Sequence, residues 1–104
     1  MEKMSTNFKD FISGYSIEVV PNSAAKIESF KEILPINTRV YIAHLETENI
    51  ATMVATAKRI NEEGFTVMPH IPARIIQNQT MLNDWISMYH NEAGVKEALL
   101  LAGG

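Results

Sequence analysis

The chain has 104 residues, of which 46% are hydrophobic and 20% charged, and its formal net charge at pH 7 is −3. This composition is typical of one globular domain, excludes a disordered chain and argues against nucleic acid or anionic lipid as a partner. The absence of cysteine excludes a disulfide scaffold, a thiolate metal site and a cysteine nucleophile. Because the sequence has neither an export signal nor an apolar run long enough to span a membrane, we expect a cytoplasmic protein.

Residues 1–14 are polar with scattered aromatics, and we interpret them as a leader before the organised part of the chain, residues 15–104. Apolar residues, many of them β-branched, then predict four strands, over 15–21, 39–45, 65–71 and 95–102. Apolar side chains at helical spacing predict three helices between them, over 23–34, 48–63 and from 78 or 80 to 93. The expected N-caps are Ser23, Thr47 and either Asn78 or Thr80, and the expected C-terminal glycines are Gly64 and Gly94.

The order β-α-β-α-β-α-β demands parallel strands and right-handed crossovers. Two architectures fit this order, the first half of a (β/α)8 TIM barrel and a small open doubly wound sheet. Alternation puts Ser16 and Glu18 on the face opposite Ile17 and Val19, and polar groups mark the same end of several strands. Since a barrel places polar groups inside, near the carboxyl ends of its strands, the pattern favours an α/β half-barrel.

Glu18 is the leading candidate for chemistry, because a carboxyl buried at the mouth of a barrel can hold a proton near neutral pH and act as a general acid. The competing interpretation is an exposed edge residue without a role. His70 ends the third strand, where it can contact a cofactor or simply bond a neighbouring carbonyl. His44 follows the second strand similarly, but these residues do not have the spacing of a known metal motif, and no metal is predicted.

Three short motifs resemble the methylenetetrahydrofolate reductase family, in its divergent bacterial branch. Ser16–Pro21 resembles the family's first-strand motif, Pro69-His70-Ile71 its third-strand motif, and Leu100–Gly104 the end of its fourth strand. The motifs occur in order and with matching spacing over residues 15–104. The chain departs from the pattern where Ala43 replaces a strand-two threonine and where Gly103 replaces an arginine.

The resemblance implies a barrel that binds FAD and uses NAD(P)H to reduce 5,10-methylenetetrahydrofolate to 5-methyltetrahydrofolate, a step of one-carbon metabolism and methionine biosynthesis. It implies that Glu18 is the general acid and that His70 contacts the flavin. By the same resemblance, the further cofactor-binding positions are Ala43, His44, Ala102, Gly103 and Gly104.

A complete barrel of this kind needs about 250 residues, so we expect the chain to be a fragment that is inactive alone, or one that pairs with a second copy as a homo-oligomer. The alternative is a catalytically inactive half-barrel that binds flavin or a nucleotide, or that serves only for interaction. Another barrel enzyme, such as a decarboxylase, is a third interpretation.

Overall fold

The computed structural model describes residues 16–35 and 38–102. Four strands form one parallel sheet in the order β1-β2-β3-β4, with β1 at Ser16–Val19, β2 at Arg39–Ile42, β3 at Thr66–Pro72 and β4 at Leu99–Leu101. The helices are α1 (Pro21–Ala25), α2 (Ile50–Glu62) and α3 (Gln79–Ala93), with 3-10 turns at Phe30–Glu32 and Ala73–Ile75. The predicted α/β class, parallel sheet and element order are confirmed. The proposed leader and Tyr15 lie outside the described residues.

The two long helices cover one face of the sheet. Alternate strand residues, among them Val40, Ile42 and Val67, join helix residues such as Met53 and Trp85 in a single buried core. The helices α2 and α3 also pack against each other and therefore lie on the same side. No described helix covers the other side, which we call the open face; its residues are Ser16, Glu18, Arg39, Tyr41, Thr66, Met68, His70, Pro72, Leu99 and Leu101.

The predicted helix over 23–34 is wrong. Helix α1 ends at Ala25, and Pro21 starts it, because proline suits the first position of a helix, where no N–H partner is needed. Ser23 is not the N-cap; its Oγ accepts from Val20 N and donates to Val20 O within the first turn. Ala24 in α1 and residues after α1 instead bond to side chains at the end of α2, and these contacts replace the helical ladder.

The long helices begin where asparagine caps them. Asn49, rather than the predicted Thr47, caps α2 by accepting from Thr52 N at 2.8 Å, so that helix starts at Ile50. Asn78 caps α3 by accepting from Met81 N at 2.9 Å, which confirms one of the two predicted caps. The two helices end as predicted, at glycines with positive φ, 100° at Gly64 and 70° at Gly94.

Three of the strands are shorter than the sequence predicted. Strand β4 comprises only Leu99–Leu101, although the apolar pattern predicted it from residue 95, and β2 ends at Ile42 rather than at residue 45. Val95 is nevertheless buried in the core, and its N–H bonds to Tyr89 O as the chain leaves α3. Among the described residues, no helix is long and apolar enough to cross a membrane.

Candidate functional site

Glu18 and His70 meet on the open face, although they come from different strands. Glu18 lies on β1 and His70 near the carboxyl end of β3, and Nε2 of His70 is 3.7 Å from Oε1 of Glu18. This separation exceeds a hydrogen bond but lies within ion-pair range when the imidazole is protonated. The parallel sheet therefore brings together the two side chains to which the sequence assigned proton transfer and cofactor contact.

Residues of β2 and β3 lie next to this pair on the open face. Glu18, Tyr41 and Met68 stand in one row of the sheet, and the ring centroids of Tyr41 and His70 are 5.8 Å apart. Arg39 lies two residues before Tyr41 on β2. A hydrogen bond to the hydroxyl of Tyr41 and, as a smaller contribution, the charge of Glu97 raise the pKa of the exposed Arg39 guanidinium above its ordinary value. The centre of the open face is therefore aromatic and thioether in character, with charges around it.

The two members of the pair differ in their exposure to solvent. The side chain of His70 is 11% exposed, whereas that of Glu18 is 62% exposed. The expectation that Glu18 is buried is therefore wrong for the single chain. The physical reason is that β1 is an edge strand, and within the described residues only β2 pairs with it.

His44 lies on the opposite side of the sheet from Glu18 and His70. Its ring stacks on Trp85 of α3, with centroids 5.1 Å apart and an interplanar angle of 22°. Its Nε2 lies 2.9 Å from Glu48 O, which makes this nitrogen the donor, while Nδ1 is buried without a partner among the described residues. These contacts make His44 part of the packing between the β2–α2 loop and α3.

The remaining predicted cofactor positions lie at or beyond the strand ends. The N–H of Ala43 donates to Val19 O at 2.8 Å and adds one hydrogen bond to the ladder between β1 and β2. Ala43 therefore lies beside the end of β1. Ala102 is exposed immediately after β4. Gly103 and Gly104 lie outside the described residues, and their predicted contact with the cofactor stays a prediction.

Two loops at the carboxyl end of the sheet are joined by an exposed ion pair. Arg74, which follows β3, has an Nη2 that lies 3.2 Å from Oε1 of Glu46 in the loop after β2. Exposed pairs of this kind contribute little to stability, at most about 1 kcal/mol. In the described part of the chain, no group of three or more His, Asp or Glu side chains is arranged to hold a metal ion.

Tyr41 is the member of the site that the sequence analysis did not single out. The signal was present, since alternation along β2 puts Tyr41 on the same face as Arg39 and Ala43. What the sequence could not give is the register, which sets Tyr41 level with Glu18. A comparison of the chain with models of known protein families finds no match.

Proposed function

We propose that this chain is the first half of a (β/α)8 barrel from a flavoprotein oxidoreductase of the methylenetetrahydrofolate reductase type. In this proposal NAD(P)H reduces FAD, and the reduced flavin passes a hydride to 5,10-methylenetetrahydrofolate. The observation that carries the proposal is the approach of Glu18 and His70 to 3.7 Å on the one sheet face that no described helix covers. The sequential strand order, with both long helices on one side, also supports a barrel over a doubly wound sheet.

The residues of the open face suit a flavin. The half-buried ring of Tyr41 offers aromatic surface for a flat ring system, and the nearly buried imidazole of His70 makes no hydrogen bond within the described residues. An N–H of His70 is thus available to donate to an oxygen or nitrogen at the edge of the ring. A bound flavin supplies the hydride chemistry, while the protein supplies placement and proton delivery.

In this assignment Glu18 holds the proton that opens the five-membered ring of the folate. His70 stands 3.7 Å from Glu18, close enough to contact the same ligand. A general acid acts best where water is excluded, because burial favours the protonated carboxyl. The proposal therefore requires that another group cover Glu18 during the reaction.

The exposure of Glu18 favours a second candidate, a half-barrel that binds a flavin or nucleotide without catalysis. A carboxylate with 62% of its side chain in solvent remains solvated and lacks the environment of an acid catalyst. The two candidates share the contact between His70 and the ligand and differ in the role of Glu18.

The decisive experiment is a titration of the purified chain with FAD, followed by flavin fluorescence. His70→Ala should weaken binding by roughly 3- to 10-fold, the range expected for one lost hydrogen bond. His90→Ala is the matched control, since His90 lies on α3, away from the open face. No FAD binding by the unmodified chain, or equal weakening by both substitutions, would contradict the proposal.

Glu18→Gln separates the two candidates. Turnover of 5,10-methylenetetrahydrofolate with FAD and NAD(P)H that is lost in this variant, with flavin affinity unchanged, supports the reductase. Turnover that Glu18→Gln leaves unchanged contradicts the acid role of Glu18.

A further inference from the structure

The outer edges of β1 and β4, which no described strand covers, match each other. Among the described residues, β1 pairs only with β2, and β4 pairs only with β3. Strand β4 consists of three leucines, 38%, 57% and 38% exposed, without a charge or proline to block pairing. Such an edge presents N–H and C=O groups that accept another strand.

The register of the sheet determines how a further strand can add to β4. Ser16, Arg39 and Thr66 stand opposite one another and form one row. Strand β4 pairs with the carboxyl-terminal part of β3, where Leu99 is opposite His70. Counted back along the chain, this register puts Val95 on the row of Thr66. Leu99 is the fourth residue after Val95, so β4 is displaced by four residues relative to the start of β1.

A second copy of this chain fits that displacement. Residues in one row share a face of the sheet, so Leu99 of the open face must meet an open-face residue of the added strand. Among the described residues of β1, only Ser16 can stand opposite Leu99 and still leave a β1 partner for each of the three residues of β4. A row followed across the four strands of one copy then meets the second copy about four residues away along the strand. Across all eight strands the displacement is about eight residues, which is the shear of a closed eight-stranded parallel barrel.

We propose that two copies of this chain close one parallel barrel, with Leu99 of each copy opposite Ser16 of the other. A two-fold axis along the barrel keeps all strands parallel and forms the β4–β1 junction twice. The open faces become the interior, and Leu101 of the second copy stands beside Glu18 in the same row. The second copy therefore contributes a residue to the candidate site and supplies the cover that Glu18 lacks in the single chain.

The first test is the mass of the unmodified 104-residue chain, measured by size-exclusion chromatography with light scattering at micromolar concentration. The proposal predicts twice the 11.7 kDa of one chain. A monomer at these concentrations overturns it, and so does an open series of larger assemblies, because a closed barrel leaves no free edge.

The second test fixes the register by cross-linking, which the absence of native cysteine makes clean. Paired residues of adjacent strands lie about 4.8 Å apart, within the Cα range of about 4.4–6.8 Å for a disulfide. The double variant S16C/L99C should become a covalent dimer on mild oxidation. Within one chain these positions lie on opposite edges of the sheet, three strand spacings and four residues apart, which is roughly 20 Å and too far to link.

The matched control is S16C/L101C, which has the same face and strand but lies two residues further along, at about 8 Å from Ser16 of the other copy. Far-UV circular dichroism of the reduced variants establishes that both are folded. Equal or preferential linking of the control overturns the register, as does a dimer in which S16C/L99C does not link. Loss of FAD binding alone leaves this result unchanged, since neither measurement uses the cofactor.

Discussion

The contact between the end of α2 and the segment after α1 should contribute measurably to stability. Oε1 of Glu63 accepts from Phe30 N at 2.8 Å and from Lys31 N at 3.2 Å. Arg59 donates to Ala24 O at 2.7 Å and also to Ile27 O. These two α2 side chains replace the backbone bonds that a continuous helix over 23–34 would have made.

Replacing Glu63 by alanine should lower the free energy of unfolding by about 2 kcal/mol. The main loss is the partly buried N–H of Phe30, since hydrogen bonds to charged groups contribute about 1.5–3 kcal/mol, whereas the exposed N–H of Lys31 can turn to water. Arg59→Ala should cost about 2–3 kcal/mol, because it removes two carbonyl contacts and a guanidinium 5.1 Å from the centroid of Phe30.

The assay is urea unfolding followed by the fluorescence of Trp85, the only tryptophan and a buried one. In thermal unfolding a loss of 2 kcal/mol corresponds to a Tm lower by roughly 8–16 °C. Glu62→Ala, an exposed neighbour on the same helix, is the control and should stay within about 0.5 kcal/mol of the parent. If Glu63→Ala behaves like this control, the segment is held by its apolar contacts and our reasoning is refuted.

Three further changes test other parts of the fold. Burial raises the pKa of Tyr89 above its ordinary value of 10.0, and its hydroxyl has no partner in the described chain. Above about pH 10 the unfolded state therefore loses this proton while the folded state keeps it, so stability falls as pH rises. Tyr89→Phe should reduce that fall and raise stability at pH 7 by about 1 kcal/mol, checked by urea titrations at both pH values; destabilisation would reveal a partner for the hydroxyl. Gly94→Ala should cost about 1–2 kcal/mol at φ 70° and Gly94→Asn less, since asparagine tolerates this conformation; equal thermal stabilities would argue against backbone strain. Met53→Ala should cost about 2–5 kcal/mol in urea unfolding because Met53 is fully buried, and a loss under 1 kcal/mol would indicate a core that collapses around the gap.

Local chemistry determined the parts of the fold that the sequence predicted correctly. Helices α2 and α3 have the apolar stripes and terminal glycines that the sequence predicted, and α3 has one of its two predicted caps, whereas Asn49 caps α2 in place of the predicted Thr47. The segment over 23–34 has a helical apolar pattern too, but its conformation depends on Arg59 and Glu63, more than 25 positions away. No local pattern carries that information, because hydrogen bonds across the fold override helix propensity.

The sequence singled out two members of the candidate site, Glu18 and His70, but neither Tyr41 nor the environment of the pair. Period-two alternation put Glu18 and His70 on polar positions of their strands, and the parallel order brought the two strand ends together. His44 looked equivalent because it also follows a strand, yet it turns to the helix side and stacks on Trp85. The solvent exposure of the Glu18 side chain could not be predicted either, since it depends on what lies next to β1.

The barrel closure and the acid role of Glu18 depend on the same edge of the sheet, yet they can fail separately. With β1 at an edge, Glu18 has 62% of its side chain in water, which is not the water-excluded environment of a general acid. A strand added at Ser16 would put Leu101 of the second copy beside Glu18 and reduce its contact with water. Burial of this kind favours the protonated carboxyl, which is the form that a general acid requires. If the chain dimerises in the proposed register but shows no Glu18-dependent turnover, the barrel stands and the reductase proposal fails. Turnover by a monomer would show instead that bound cofactor or substrate covers Glu18 without a second copy.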